Sequence, residues 1–337
     1  MSTHGFAGGT PAVRPLRIAA AGAGAIGCTL AARLAHAGHK VSMLARGATL
    51  QALKTHGVRL DDTSGTVRAR VDADSQASFG AQDIVFLCCK SQDLPAMSAQ
   101  VAPLVGPQTL IVPTPNGVPF WYFHREGGRF EGRAVQAVDP DGRIGAHLPL
   151  DQVLGAVMFI TAESPAPGHA VALNPHLMML GEPCDSLSPR LQYLCAVLSA
   201  AGIEARPIER LRDKLWTKII ANLTSNPLSV LENATLAQIY SRESLAPTVR
   251  ALMREAMLTA CCHGARMTVD PIEFLELGAA MGAVRTSMLQ DFDRGRPLEL
   301  AAIGDAVVEL AELYQLPMPA TRELLARTRE HVLAVPT

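Results

Sequence analysis

Apolar runs of strand length alternate with helix-forming segments along the first half of the chain. The strand-like runs occupy residues 16–21, 40–44, 83–88, 109–112 and 152–160. Such alternation is typical of βαβ units, and it predicts a parallel sheet. A helix is expected to begin at Ser188-Pro189, a capping serine followed by proline at the first helical position, and to end at Gly202.

Helical patterns dominate the second half, where the strand signal fades from about residue 209 onward. Apolar side chains recur at helical spacing until Asn226-Pro227, and we expect this pair to interrupt the helix because proline lacks the N–H donor. The helices predicted in this half cover residues 210–225, 244–263 and 298–313. The chain is therefore predicted to form an α/β domain over residues 16–208 and an all-helical domain over residues 209–330.

Composition narrows the class of partner. The 30 Lys and Arg residues balance 31 Asp and Glu residues without a basic block, which argues against nucleic acid or an anionic membrane as the main partner. No apolar run reaches the length of a membrane span. The 7 cysteines form no C-x-x-C motif, as is common for reduced thiols in the cytoplasm. The 10 histidines lack ligand spacing, so no metal site is expected.

A glycine-rich turn connects the first predicted strand to a helical segment. The turn reads G-x-G-x-x-G, and its residues are Gly22, Ala23, Gly24, Ala25, Ile26 and Gly27. In this motif the first glycine makes a tight turn, the second lets a pyrophosphate approach the backbone, and the third lets the helix pack on the strand. A glycine-rich turn can also serve packing alone, but its position between strand and helix predicts a dinucleotide site.

The residue after the second predicted strand indicates which dinucleotide binds. Enzymes that use NAD usually have Asp or Glu there, whereas this chain has Arg46. A guanidinium can pair with a 2′-phosphate, so NADP(H) is the expected cofactor. The alternative is a solvated loop arginine.

Three polar residues follow one another at intervals of four residues in the first predicted helix of the second half. Lys218, Asn222 and Asn226 therefore form a stripe on one helix face, among apolar neighbours. Buried lysine and amide groups need partners, and a ligand in a cleft supplies them. The alternative is an exposed lysine with two amides that bond to neighbouring loops.

Other candidate residues are ambiguous when taken singly. Lys90 and Asn116-Gly117 each follow a predicted strand, at the sheet edge where open α/β folds bind ligands. Glu299 lies in the first turn of the last predicted helix and is compatible with a surface acid that compensates the helix dipole. Ser287 is compatible with a simple cap.

Together these motifs resemble the ketopantoate reductase family in order and spacing, over nearly all of residues 16–330. The resemblance implies a Rossmann-type domain followed by an all-helical domain like that of 6-phosphogluconate dehydrogenase. It also implies that NADPH reduces 2-dehydropantoate to (R)-pantoate, a step of pantothenate and coenzyme A synthesis.

The resemblance assigns roles by position. Lys218 resembles the general acid, and Glu299 resembles the residue that binds substrate and orients the cofactor ribose. The residues that resemble substrate ligands are Asn222, Asn226 and Ser287. Those that resemble cofactor ligands, besides the glycine turn and Arg46, are Lys90 and Asn116.

The chain departs from the family pattern near the expected substrate. Pro115, Ala301 and Gly304 replace residues that are usually polar, and an aromatic run occupies residues 120–123. The run is either a packing or subunit-contact element or a reshaped mouth of the site. We therefore expect 2-oxo acids with bulkier, more apolar tails to be accepted as well.

Two other functions stay open at this point. One is an NADP-dependent reductase of another small 2-oxo or β-hydroxy acid. The other is a non-catalytic NADPH-sensing regulator, although retention of both Lys218 and Glu299 argues against it. The expected partner is a small-molecule 2-oxo acid, and a homodimer is left open.

Overall fold

The computed structural model describes residues 14–172, 174–268 and 270–334. The strands are β1 (Arg17–Ala21), β2 (Lys40–Leu44), β3 (Val58–Asp62), β4 (Gly65–Ala69), β5 (Asp72–Asp74), β6 (Gln82–Leu87), β7 (Val105–Pro113), β8 (Gly155–Phe159), β9 (Ala162–Ala166), β10 (His169–Ala172), β11 (Leu177–Gly181) and β12 (Glu204–Pro207). The α-helices are α1 (Ala25–His36), α2 (Gly47–His56), α3 (Leu94–Val101), α4 (Arg143–His147), α5 (Pro189–Ala200), α6 (Leu211–Glu232), α7 (Leu236–Ser241), α8 (Ala246–Cys262), α9 (Pro271–Ala280), α10 (Ser287–Asp293), α11 (Ala306–Glu312) and α12 (Pro319–Ala334).

The main sheet has five parallel strands in the order β5-β2-β1-β6-β7. β1 and β2 are buried from their second residue to their last, which is typical of strands covered on both faces. Because parallel strands end at one edge, the glycine turn, Arg46, Lys90 and Asn116 all lie along it. The predicted fold, a parallel α/β sheet followed by helices, is confirmed.

Two smaller sheets complete the first half, in the orders β4-β3-β10-β9 and β12-β11-β8. The strand predicted over residues 152–160 does form, as β8, but it does not join the main sheet. It pairs antiparallel with β11, and a single bridge from Val153 to Ile111 connects this segment to β7. Hydrophobic patterning shows that a segment is a strand but not which distant strand it pairs with, so its sheet was predicted wrongly.

The long helix α6 continues through Pro227, so the prediction that this residue interrupts the helix was wrong. Ser225 Oγ donates to the carbonyl of Ala221 at 2.6 Å, and Ser229 Oγ donates to the carbonyl of Asn226 at 2.7 Å. Residues 223–230 are all buried, and α6 packs against α8, α10 and α12. This tertiary packing outweighs the roughly 3 kcal/mol that an internal proline costs a helix.

The helix predicted over residues 298–313 is also irregular. Its first part, Ala301–Asp305, is a π-helical turn, and regular α-helix follows only in α11. Such turns frequently occur at functional sites. The predicted N-cap of α5 is confirmed, because Ser188 accepts the N–H of Leu191. Within the described residues, no helix is long and apolar enough to cross a membrane.

Candidate active site

The glycine turn has the geometry that the motif requires. Gly22 adopts φ +115°, and a Cβ there would lie 2.8 Å from the carbonyl carbon of Cys88. A Cβ at Gly27 would lie 1.9 Å from the carbonyl oxygen of Gly22. A Cβ at Gly24, in contrast, would meet no described atom within 4 Å. Gly22 and Gly27 are therefore needed for packing, and Gly24 leaves its face of the turn open to a ligand.

The start of α1 suits a phosphate. Gly24 is the N-cap and supplies no side-chain bond to the first turn, which also contains no acidic residue. Backbone N–H groups of a first helical turn attract anions, and the helix dipole adds to that attraction. Arg46 is the exposed N-cap residue of α2, directly after β2 and Ala45. The residues at this edge fit a dinucleotide.

Lys90 connects the two halves of the molecule through two carboxylates. Its Nζ lies 2.5 Å from Asp291 Oδ2 and 3.4 Å from Glu299 Oε2. Glu299 Oε1 also accepts the backbone N–H of Ser91 at 3.0 Å. Burial by itself lowers the pKa of Lys90, but the charges of Glu299 and Asp291 outweigh it and raise that pKa. This ion-pair cluster holds Glu299 at the sheet edge.

Lys218 extends from α6 toward the end of β8. Its Nζ donates a hydrogen bond to the carbonyl oxygen of Met158 and lies 5.3 Å from the centroid of the Phe159 ring. Burial lowers the pKa of Lys218 to about 8, although the negative charge of Glu299 opposes the shift. A pKa near the working pH is what a general acid needs.

The two asparagines of the polar stripe lie on the same helix as Lys218. Asn222 Nδ2 is buried and has no hydrogen-bond partner among the described residues. Asn226 is 4% exposed, and its Oδ1 accepts the hydroxyl of Ser225 at 3.3 Å. A buried N–H without an acceptor is costly, so the Asn222 amide indicates a ligand with an oxygen atom.

Asn116 and Gly117 border the same cleft. Gly117 adopts φ +89°, and a Cβ there would lie 2.3 Å from the carbonyl oxygen of Ala302 in the π-helical turn. The N–H of Val118 donates to that oxygen at 2.8 Å. Asn116, Gly117 and Lys218 line this cleft. The close packing fixes the loop after β7 against the segment that carries Glu299.

Ser287 occupies a different environment from the other predicted ligands. It is the exposed first residue of α10. The preceding Thr286 caps this helix and shares a hydrogen bond of 2.6 Å with Ser229. Asp291, one turn further along α10, reaches Lys90. The position of Asp291 in the motif was visible in the sequence, but its contact with Lys90 was not predicted.

The aromatic run over residues 120–123 is buried throughout. Trp216 Nε1 donates to the Tyr122 hydroxyl at 2.7 Å, and Arg212 Nη2 donates to the Tyr122 carbonyl at 2.7 Å. Phe123 packs edge-to-face against Tyr122. Tyr122 and Phe123 are therefore packing residues, as one of the two interpretations of the run predicts. Phe120 and Trp121, in contrast, line a cavity.

Two contacts of Lys218 had no sequence signal. The acceptor in Met158 is a backbone carbonyl, which every residue carries. Phe159 is an exposed aromatic residue at the end of β8, and its proximity to Lys218 depends on where this strand lies relative to α6. The part of the chain that the structure describes contains no cluster of three or more potential metal ligands.

Comparison with known proteins identifies the family. The model described as ketopantoate reductase PanE/ApbA matches residues 18–183, and the model of the C-terminal domain of the same family matches residues 210–331. Fold and site thus define a reductase of the Rossmann type with a helical second domain. The chain belongs to the ketopantoate reductase family.

Individual relatives agree with this assignment. A 2-dehydropantoate 2-reductase of Mesorhizobium japonicum is 38% identical over 316 residues, which cover 93% of this chain and 97% of the relative. A crystal structure assigned as a ketopantoate reductase of Ralstonia solanacearum MolK2 superposes with a TM-score of 0.90 at 38% identity, covering 95% of this chain and 98% of the other. D-mandelate dehydrogenase in complex with NADH, at 20% identity and a TM-score of 0.81, shares the fold over 94% of this chain and 99% of that chain.

Proposed function

We propose that this chain reduces 2-dehydropantoate to (R)-pantoate with NADPH. The observation that carries the proposal is the α6 face on which the Lys218 ammonium, with its lowered pKa, lies one turn before the Asn222 amide, whose N–H has no partner among the described residues. An ammonium and an amide donor side by side suit a 2-oxo acid, whose carbonyl and carboxylate oxygens are adjacent. The 38% identity to a 2-dehydropantoate 2-reductase supports this choice of substrate.

The chemistry follows from where negative charge develops. A bound nicotinamide coenzyme supplies the hydride. As the carbonyl carbon is reduced, its oxygen becomes an alkoxide, and Lys218 both stabilises that charge and donates the proton. Asn222, Asn226 and Ser287 are proposed to bind the substrate. Burial keeps the pKa of Lys218 at about 8, low enough for ready transfer and high enough for a charged ground state.

Glu299 is proposed to bind the substrate and to orient the cofactor ribose. Its carboxylate is 4% exposed and already accepts the Ser91 N–H, so its position is fixed before a ligand arrives. Lys90 and Asn116 are proposed cofactor contacts at the same edge. Pre-positioned groups of this kind lower the entropic cost of reaching the reactive geometry.

NADP(H) is the proposed cofactor because of Arg46. This arginine is exposed at the N-cap of α2, and the segment from Ala45 to Leu50 contains no acid. A guanidinium there is available for a 2′-phosphate, and this segment supplies no carboxylate for the ribose hydroxyls. The glycine turn of residues 22–27 is proposed to hold the pyrophosphate.

Three statements about the whole molecule are also proposals. We propose a domain boundary between residues 208 and 209, just before α6 begins at Leu211. A cytoplasmic location fits an enzyme of cofactor biosynthesis. A homodimer is to be tested by light scattering of the purified chain.

A substrate panel tests the proposed function. Oxidation of NADPH is followed with 2-dehydropantoate and with other 2-oxo acids, and each reaction is repeated with NADH. The highest kcat/KM is expected for 2-dehydropantoate with NADPH. Preference for another 2-oxo acid indicates a related reductase instead. Tight NADPH binding without turnover of any 2-oxo acid indicates a sensor.

A further inference from the structure

A second cavity adjoins the cleft that contains Lys218. Pro115, Ala156 and Leu215 line both spaces, so the two are neighbours. Beyond these shared residues the second cavity has mainly apolar walls, among them Phe120 and Trp121. A chamber of this character is suited to the apolar part of a ligand.

Trp121 lines this cavity and carries a buried polar group. Its side chain is 1% exposed, and its Nε1 has no hydrogen-bond partner within the described ranges. The ring is held in place, because a Cβ at Gly155 would lie 2.4 Å from its Cζ2 and the Arg212 guanidinium lies 5.6 Å from its centroid. A buried indole N–H usually has an acceptor, so one is expected to come from a ligand.

The helix α6 carries residues of both cavities and of the polar stripe along its length. Leu215, Lys218 and Asn222 follow one another on it, and the rise per residue separates the first from the last by about 10 Å. A 2-oxo acid with its carboxylate at Asn222 and its carbonyl at Lys218 therefore directs its tail toward Leu215. That direction leads to the second cavity, which Leu215 lines.

We propose that the second cavity is the substrate-tail subsite, and that the indole N–H of Trp121 selects 2-oxo acids whose branched apolar tail ends in an oxygen acceptor. This inference rests on the proposed function and deepens it. In 2-dehydropantoate the carbonyl is followed by a carbon with two methyl groups and then by a CH₂ group that carries the terminal hydroxyl. The methyl groups suit the apolar walls, and the hydroxyl oxygen accepts the N–H that otherwise lacks a partner.

Two substrates and two proteins test the proposal. The substrates are 2-dehydropantoate and its analogue without the terminal hydroxyl, and the proteins are the wild type and Trp121→Phe. In the wild type the hydroxyl is expected to raise kcat/KM roughly tenfold, and in Trp121→Phe this advantage is expected to disappear. An advantage that survives in Trp121→Phe overturns the proposal.

Trp216→Phe is the matched control. It removes the other indole N–H of the chain, which donates to the Tyr122 hydroxyl and not into the cavity. This variant is expected to melt at a lower temperature and to keep the wild-type preference for the hydroxyl. Loss of the preference in both variants contradicts a specific role of Trp121.

A second variant tests the tail path without touching the indole. Ala156→Val narrows the space shared by the two cavities. It is expected to lower kcat/KM for 2-dehydropantoate at least tenfold while leaving pyruvate, which has only a methyl tail, nearly unchanged. Equal losses for both substrates overturn the tail path.

The two proposals fail in different ways. If the wild type reduces 2-dehydropantoate but Trp121→Phe keeps the hydroxyl preference, the subsite is wrong and the function stands. If the wild type reduces no substrate of the pair, the function is wrong, and calorimetry with pantoate and its analogue without the terminal hydroxyl decides the subsite. If the wild type binds pantoate more tightly than the analogue and Trp121→Phe does not, the subsite is supported. If the wild type binds the two ligands equally, the subsite is overturned.

Discussion

Lys218→Ala removes the group that is proposed to protonate the developing alkoxide. Burial lowers the pKa of this lysine to about 8, so about nine-tenths of it is protonated at pH 7. Loss of a general acid lowers kcat by about 10²–10⁴-fold, equivalent to ~3–5 kcal/mol of barrier. Binding of NADPH is expected to change little, because the glycine turn and Arg46 are separate from α6.

The assay measures kcat as a function of pH with saturating NADPH and 2-oxo acid. The wild-type rate is expected to fall as pH rises through about 8, because the proton donor is lost there. Lys214→Ala, an exposed lysine one turn earlier on α6, is the control and is expected to keep wild-type kcat. Nearly full kcat in Lys218→Ala, or a wild-type rate that is flat through this pH range, refutes the reasoning.

Three other substitutions have distinct expected results. Arg46→Ala should raise the KM for NADPH about ten- to a hundredfold and leave NADH unchanged, whereas the exposed Arg68→Ala should alter neither. Glu299→Ala should mainly raise the KM for the oxo acid, and an effect on kcat alone would contradict that role. Asp62→Asn should lower the free energy of unfolding at pH 7 by about 3 kcal/mol, because the side chain of Asp62 is fully buried and pairs with Arg33. Hydrogen bonds and the charge of Arg33 lower the pKa of Asp62 although burial opposes this shift. The ionised carboxylate therefore contributes its full stabilisation of the fold above the unfolded pKa of about 3.9, and this stabilisation is lost as pH falls below that value. A urea midpoint for Asp62→Asn equal to that of the wild type would refute the last expectation.

Local sequence signals predicted the features whose structure depends on nearby residues. β2 coincides with the predicted run, and Ser188 caps α5 as its sequence indicates. The stripe of Lys218, Asn222 and Asn226 was also visible, because helical periodicity alone puts residues four apart on one face. These predictions depended only on neighbours within a few residues.

Features that depend on distant contacts were not predictable in this way. Pro227 stays inside α6 because packing against other helices compensates for it, and no local pattern reports that packing. The antiparallel pairing of β8 and the contact between Lys90 and Asp291, 201 residues apart, depend likewise on the folded arrangement. The Trp121 N–H has no partner in the part of the chain that the structure describes; this depends on its surroundings in the fold, and an aromatic run in the sequence does not reveal it.

Transfer of deuterium from NADPH that carries deuterium at both C4 positions of the nicotinamide tests the central claim most directly. The wild type is incubated with labelled NADPH and 2-dehydropantoate, and the product is analysed by mass spectrometry and NMR. The account predicts pantoate with one deuterium at C2 and a rate that Lys218→Ala lowers by at least a hundredfold. Absence of labelled pantoate in the wild-type reaction, with NADPH bound, would contradict the account.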